Sequence, residues 1–379
     1  MKYLFPLIMT LVMITVLVAS NIYISKRLGW IFSLDSLRLV HILVALVPVL
    51  MFTGLIGFSN SVSIAGHLLY SVAAITTGIV LYLLVSMLAI DVVTVFYKLK
   101  PALYGILVLG GTLLISAYGL WNATNTKLIF QEIGIKNLER EVKVMHFSDI
   151  HLGHFRGKAY LEKITNLAIA EKPDFVVITG DLFDGRIRLH SESLDPLREF
   201  KVPVYFVEGN HDKYSGVKEI KGLLRSVGVR VLENEVETFK DLQIIGLNHM
   251  AADSETRSIP PNPGDTSIER VLAEMEIDSL MPSVLLHHSP HGMKHVSAKG
   301  VDLYLSGHTH GGQLFPITLL NDLLFKYNKG LHAYKGTQIF VSRGAGTFGP
   351  PMRVGARSEV VLLTLQPEAS SLSDLKISH

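Results

Sequence analysis

"VDLYLSGHTHGGQ", Val301 to Gln313, carries an apolar run directly into two histidines one residue apart, set among glycines. The run reads as a buried strand that ends in a loop. Side chains alternate along an extended chain, so His308 and His310 point the same way as long as that geometry persists. The glycines allow a sharp turn and a close backbone approach to something. A metal, a phosphate or nothing at all would satisfy that pair, and the rest of the chain has to decide.

Upstream, from Val142 onward, short β-rich runs alternate with helical ones. "VKVMHFS" (142–148), "DFVVITG" (174–180), "VPVYFVEG" (202–209) and "VRVL" (229–232) read as strands. "GKAYLEKITNLAIAEK" (157–172), "SLDPLREF" (193–200) and "GVKEIKGLLRSVG" (216–228) read as helices between them. "ETFKDLQIIGLN" (237–248) reads as a hairpin turning at Lys240-Asp241. "SVLLHH" (283–288), "LYLSG" (303–307), "QIFVSRG" (338–344) and "EVVLLTL" (359–365) complete the strands. Such alternation followed by a strand-rich end predicts stacked sheets flanked by helices.

Five polar motifs follow these strands: "SDIH" (Asp149, His151), "GDLFD" (Asp181, Asp184), "GNHD" (Asn210, His211, Asp212), "LLHHSP" (His287, His288) and "SGHTHGGQ" (His308, His310). Singly, each is more often a polar loop than a ligand set. Together they sit where α/β sheets collect ligands, at the carboxyl ends of strands, and so predict one shared site. Imidazole with carboxylate suits zinc, iron and manganese. Two such ions about 3.5–4 Å apart can clamp the attacking and leaving oxygens of a phosphoryl group.

The first third has a different character. Mean hydropathy over the whole chain is +0.36, and the excess lies in four apolar runs at 3–24, 39–58, 68–90 and 103–121. Each is near the roughly 20 residues a bilayer-crossing helix needs. They predict a multi-pass anchor over 1–121, with His41, His67 and Asp91 near span ends rather than inside, where a transporter would place them. A connector (122–141), the α/β domain (142–366) and a polar tail (367–379) follow. Lys26, Arg27 and Arg38 fall in the first inter-span loop and Lys98 and Lys100 in the third, whereas the second has no charge. Positive loops stay in the cytoplasm, which places both termini outside it, in a cytoplasmic (cell) membrane. Net charge is +2, giving no basic field for nucleic acid. With no cysteine among 379 residues, thiolate sites and disulfides are excluded.

In their order, the five motifs resemble the signature of the calcineurin-like metallophosphoesterase superfamily, over roughly 142–366. The ending "FVSRGAGTFGPPMRVGARSEVVLLTL" is similar to the bacterial subgroup related to transmembrane proteins with a metallophosphoesterase domain. The resemblance implies a four-layer αββα sandwich of two mixed sheets. It implies two divalent or trivalent ions (Mn, Fe or Zn): Asp149, His151 and His310 hold the first, Asp181 bridges, and Asn210, His288 and His308 hold the second. The family pattern selects His288 over His287, which then points into the sheet packing. His211 is the implied catalytic proton or hydrogen-bond donor, with Asp212 orienting it and Asp184 as an outer partner. The implied reaction is hydrolysis of a phosphate ester or pyrophosphate by a metal-bridging hydroxide.

Four spans beside such a site make a lipid-linked phosphate an expected substrate, next to phosphorylated small molecules, with the bilayer as partner. Related hydrolases split UDP-2,3-diacylglucosamine in the cytoplasm, an alternative that requires the opposite orientation. An inactive scaffold is disfavoured because all seven expected ligands and His211 are present. Arg343 and Arg353 are candidates for substrate phosphate or for structural salt bridges. "LFPITLLNDLLFKY" (314–327) reads as a core or sheet-edge segment rather than a lipid-facing lip. "AADSETRSIPPNPGDTS" (251–267) reads as an insertion at the pocket rim.

Overall fold

The structure is a computed structural model that describes residues 4–253 and 266–368. Most of the 251–267 insertion and nearly all of the polar tail therefore lie outside the described residues. The chain divides into two compact units, Met1–Trp121 with Gly349–Met352, and Asn122–Phe348 with Arg353–His379.

In the first unit, the apolar runs form the helices Leu4–Ile31, Leu37–Gly57 and Ile64–Phe96, and a fourth, Pro101–Thr124, continues past its end. All four are long and apolar enough to cross a membrane. Small residues such as Gly54, Ala73 and Ala74 face inward beside a few large ones, Tyr82, Met87 and Tyr104, whereas leucines such as Leu113 and Leu114 face outward, as lipid as solvent favours. Lys26 and Arg27, expected in a loop, lie within the first helix. Asp91, on the third helix, gathers polar partners from the first and the fourth: Tyr23 Oη and Arg27 Nη2 donate to its Oδ2 at 2.6 Å, and Tyr104 Oη donates to Oδ1 at 2.8 Å.

The second unit contains two six-stranded sheets. One runs Lys127–Ile135, Glu359–Pro367, Val142–Phe147, Phe175–Thr179, Val204–Val207, Arg230–Val231 across the sheet. The other runs Gly330–Tyr334, Thr337–Val341, Leu303–Ser306, Ser283–Leu286, Leu242–Gly246, Glu235–Phe239. Both are mixed, each with antiparallel pairings among parallel ones. The side-chain alternation of each strand builds the layers. Val142, Val144, Phe175 and Val177 of the first sheet meet Ile244, Val284, Leu286 and Leu303 of the second in one buried core. The opposite faces of those strands, with Met145, Phe147 and Val176, pack on helix Lys158–Ala170 through Leu161 and Ile164. On the far side, Ile245, Leu285 and Tyr304 pack on Ile268 and Val296, which belong to the helices Ile268–Glu274 and Met293–Ala298. The result is a four-layer αββα sandwich.

Two edge strands escaped the sequence reading. Residues 122–141, expected to be a connector, contain Lys127–Ile135, paired in parallel with Glu359–Pro367 over its whole length. Its exposed Lys127, Phe130 and Glu132 blur the alternation. Gly330–Tyr334 is only half-buried, for the same edge-strand reason.

Candidate metal centre

Five strands deliver the five motifs to one end of the sandwich. Val142–Phe147 leads to Asp149 and His151, Phe175–Thr179 to Asp181 and Asp184, and Val204–Val207 to Asn210 and His211. Ser283–Leu286 leads to His288, and Leu303–Ser306 to His308 and His310. The backbone bends at these exits. Asp149, His151, Asp181, His308 and His310 all have φ between 50° and 73°, a left-handed conformation that non-glycine residues hold only when their surroundings enforce it.

Those surroundings are visible. The amide of Asp149 donates to Gly180 O at 3.1 Å and that of His151 to Asp181 O at 3.0 Å. The Asp212 carboxylate accepts from the amides of Asp181, Leu182, Phe183 and Gly209 at 2.8–3.1 Å. The amide of His308 donates to both Asp149 oxygens, at 3.1 and 3.0 Å. Gly307 makes that approach feasible, because a Cβ there would run into Ser148 Oγ and Asp149 Oδ2. This accounts for one glycine of the opening motif. The histidines themselves are not on an extended strand: the strand ends at Ser306 and a tight turn begins at His310.

His308 and His310 consequently join different groups. His310 Nε2 lies 3.1 Å from His151 Nε2 and 3.2 Å from Asp149 Oδ1. His308 Nδ1 lies 3.2 Å from His288 Nε2, which is itself 3.1 Å from Asp181 Oδ2. Asp181 Oδ2 is also 3.8 Å from His151 Nε2, so one carboxylate reaches both groups. Asp149–His151–His310 and Asp181–His288–His308 each bring their ligand atoms within 4.8 Å of one another.

Several observations test whether these residues fit metal ions. Asn210 Oδ1 is buried and has no hydrogen-bond partner, an expensive arrangement unless a cation takes that oxygen. His288 Nδ1 donates to Thr179 O at 2.8 Å, which fixes the tautomer and leaves the Nε2 lone pair facing Asp181, as a ligating imidazole requires. Imidazole nitrogens aimed at each other at 3.1–3.2 Å are what a shared cation between them would draw together. Burial pushes the His151 imidazole down to about 3, with His211 adding to the effect, so this ring stays neutral. The donor set fits divalent metals.

Residues 142–312 match the calcineurin-like phosphoesterase family. A metallophosphoesterase of Aquifex aeolicus, itself uncharacterized, is 36% identical over 232 residues, covering 60% of this chain and 85% of that protein. The chain belongs to the calcineurin-like phosphoesterase family. A transmembrane protein with metallophosphoesterase domain from Danio rerio is 33% identical over 270 residues, 67% of this chain and 61% of that protein. Phosphodiesterase YaeI of Escherichia coli is 28% identical over 241 residues, 59% of this chain and 82% of that one. The chain spans about six-tenths of the length of the first relatives it matches (63% and 61%).

Within this phosphoesterase domain, two expected roles change. The ring of His211 is held by Asp184, Nδ1 to Oδ1 at 3.0 Å, and not by Asp212. Asp212 points the other way, into the four amides, and braces the loop that carries Asp181. Burial opposes a charge on His211, but Asp181 and Asp184 outweigh it and raise its pKa to about 10. Arg353 is fully buried. Its Nη2 donates to Arg343 O, Gly344 O and Gly346 O at 2.6–3.1 Å and lies 3.2 Å from His310 Nδ1. It is a brace behind His310 and has no hydrogen left for substrate. Arg343 is half-buried, its Nη1 2.8 Å from Glu359 Oε2, while its own amide donates to Glu359 Oε1 at 2.9 Å. Sequence reasoning missed Glu359 and Ser148, whose Oγ donates to Asp149 Oδ2 at 2.5 Å. Ser148 was adjacent in its motif, but nothing in the sequence linked Glu359 to Arg343.

His287 turns away, its Nδ1 2.8 Å from Ser289 O and 3.0 Å from Tyr304 Oη. Phe348 was also missed. Its ring centre lies 5.1 Å from His310, 6.0 Å from His211 and 6.3 Å from His151.

Proposed function

We propose that this chain is a membrane-anchored phosphoesterase that hydrolyses phosphate ester or pyrophosphate bonds with two metal ions. The observation that carries the reading is the meeting of two imidazole–carboxylate groups around the shared Asp181, with the partnerless Asn210 Oδ1 beside them. Asp149, His151 and His310 hold one ion. Asn210, His288 and His308 hold the other, and Asp181 belongs to both. Ions so held supply Lewis acidity, neutralising phosphoryl charge and activating water. His211 carries its Nδ1 proton on Asp184, which leaves its Nε2 to donate a hydrogen bond, then a proton, to the leaving oxygen. The name of the Escherichia coli relative favours diesters among the substrate classes. The anchor favours a phosphate that is lipid-linked.

Hydrolysis of a phosphomonoester, phosphodiester and lipid-pyrophosphate panel by the full chain, stripped of metal and reloaded with Mn, Fe or Zn, tests this. Metal-dependent turnover of at least one class is expected. A folded, metal-loaded chain inert to all of them would leave the scaffold reading.

The domain faces away from the cytoplasm in this proposal. Lys26 and Arg38 flank the first connection between spans and Lys98 and Lys100 lie within the third, whereas the second is uncharged. Arg27 weighs less, because its charge is matched by Asp91. With reporters fused after Lys127, alkaline phosphatase active and a cytoplasmic fluorescent protein dark is the expected pattern. The reverse would put the site in the cytoplasm and favour the UDP-lipid substrate.

A further inference from the structure

Helix Ile317–Leu324 is built inside out. Its buried residues are the polar Thr318 and Asn321, whereas Ile317, Leu319, Leu320, Leu323 and Leu324 are exposed, Leu323 to 82%, as is Phe315 just before the helix. An ordinary surface helix does the reverse. Elsewhere in the α/β unit, among the described residues, the large exposed apolar side chains are Phe130, Ile169, Tyr214, Leu280 and Phe348. An apolar patch this concentrated marks an interaction surface. The sequence reading of this stretch as core or sheet edge is therefore corrected: the leucines point out.

The polar face bolts the helix to the metal centre. Asn321 Nδ2 donates to Thr309 O at 3.4 Å and Thr309 Oγ1 to Asn328 O at 2.6 Å, both beside His308 and His310. The ring of Phe325, just past the helix, lies 5.8 Å from that of His308. On the other side, Gln313 exchanges hydrogen bonds with the backbone of Phe348 at 3.1 and 3.2 Å, and Phe348 packs on His310. These contacts tie the helix that carries the apolar surface to the ligand loop.

We propose that this face seats in a lipid bilayer and brings phosphates at headgroup depth to the metal centre. Three features select lipid over another occupant. The chain has four helices able to cross a membrane. Only Asn125 and Thr126 separate the last of them from the first strand, and two residues reach no more than about 7 Å. In the segment that follows the helix, Lys326 and Lys335 lie over the Tyr334 ring, at 5.2 and 5.6 Å, the pairing of basic and aromatic groups that suits anionic headgroups. Docking stands without the hydrolase reading; only the presentation of substrate rests on it.

The chain contains no cysteine, so Leu323→Cys gives a single labelling site. The full-length variant carries an environment-sensitive nitrobenzoxadiazole label in nanodiscs of phosphatidylethanolamine and phosphatidylglycerol. Leu280→Cys, exposed but outside the face, is the reference. We expect blue-shifted emission at 323 and several-fold stronger quenching there by spin-labelled acyl chains than at 280, with weaker quenching by iodide. Equal behaviour at the two sites overturns docking. So does a label at 323 that is shielded from iodide yet untouched by lipid quencher and that cross-links between chains, because a second copy would then cover the face. In parallel, Leu319→Glu/Leu323→Glu should leave hydrolysis of a soluble chromogenic phosphoester unchanged and lower hydrolysis of a bilayer-embedded phospholipid about tenfold. Equal loss on both substrates would overturn the presentation role, and absence of all hydrolysis in the parent chain would fault the hydrolase reading while the label still decides docking.

Discussion

Leu114, on the fourth apolar helix, and Leu286, on the strand that leads to His288, are the same side chain in opposite settings. The first is 72% exposed and the second fully buried. Around Leu114 the helices turn many large apolar side chains outward, so the surroundings have to be apolar. Around Leu286 two sheets close an apolar core between them, and polar groups are expelled to the strand ends. That expulsion is what gathers Asp149, Asp181, His288 and His308 in one place. Apart from the cluster around Asp91, the helical region needs length and hydropathy, and its outward apolar side chains are interchangeable. The α/β region needs identity at each strand end. Helix Ile317–Leu324 breaks the division by obeying the rule of the first region within the second.

The largest expected effect falls on the shared carboxylate. Asp181→Ala should remove at least one of the two ions and abolish turnover, read by metal analysis of the purified variant beside its rate. No substitution of one outward leucine should approach this. Two retained ions with normal activity would break both the assignment and the contrast between regions.

His211→Ala should come next, lowering turnover by about 10²–10⁴-fold, the range for a lost general acid, while metal content stays near that of the parent. Asp184→Asn, which leaves the ring in place but weakens its anchor, should cost less. Asp184 and His211 also stand within 4.8 Å ligand-atom range of His151. Metal loss in His211→Ala as large as in His308→Ala would therefore make His211 a ligand instead of a donor.

Much of this was legible in the sequence because the motifs are local. Each lies within a few residues of an apolar run, so strand and ligand were read together. What escaped depends on contacts between distant segments. Asp212 sits next to His211, yet its carboxylate belongs to the loop 181–183, some thirty residues earlier. Arg353 reads as a phosphate ligand by charge, but its guanidinium is consumed by backbone carbonyls of the loop 343–346. The direction of the leucines at 317–324 was hidden for a different reason. Periodicity reports that one face is apolar and cannot say which face is covered.

The smallest effects test that last point. Leu286→Ala should cost the α/β domain about 2–5 kcal/mol, as large-to-small changes in closed cores do. Leu114→Ala, on an outward face, should change it by less than about 0.5 kcal/mol, as substitutions away from packed sites do. Leu323→Ala decides between the two patterns. Its side chain is 82% exposed, and the helix is held by Thr318 and Asn321 on the other side, so removing it leaves no cavity. Urea unfolding in detergent, followed through the far-ultraviolet signal of the sheets, measures all three. Leu323→Ala should fall with Leu114→Ala. A midpoint shift as large as that of Leu286→Ala would mean the leucine packs inward, and the apolar face would then be part of the domain's own core.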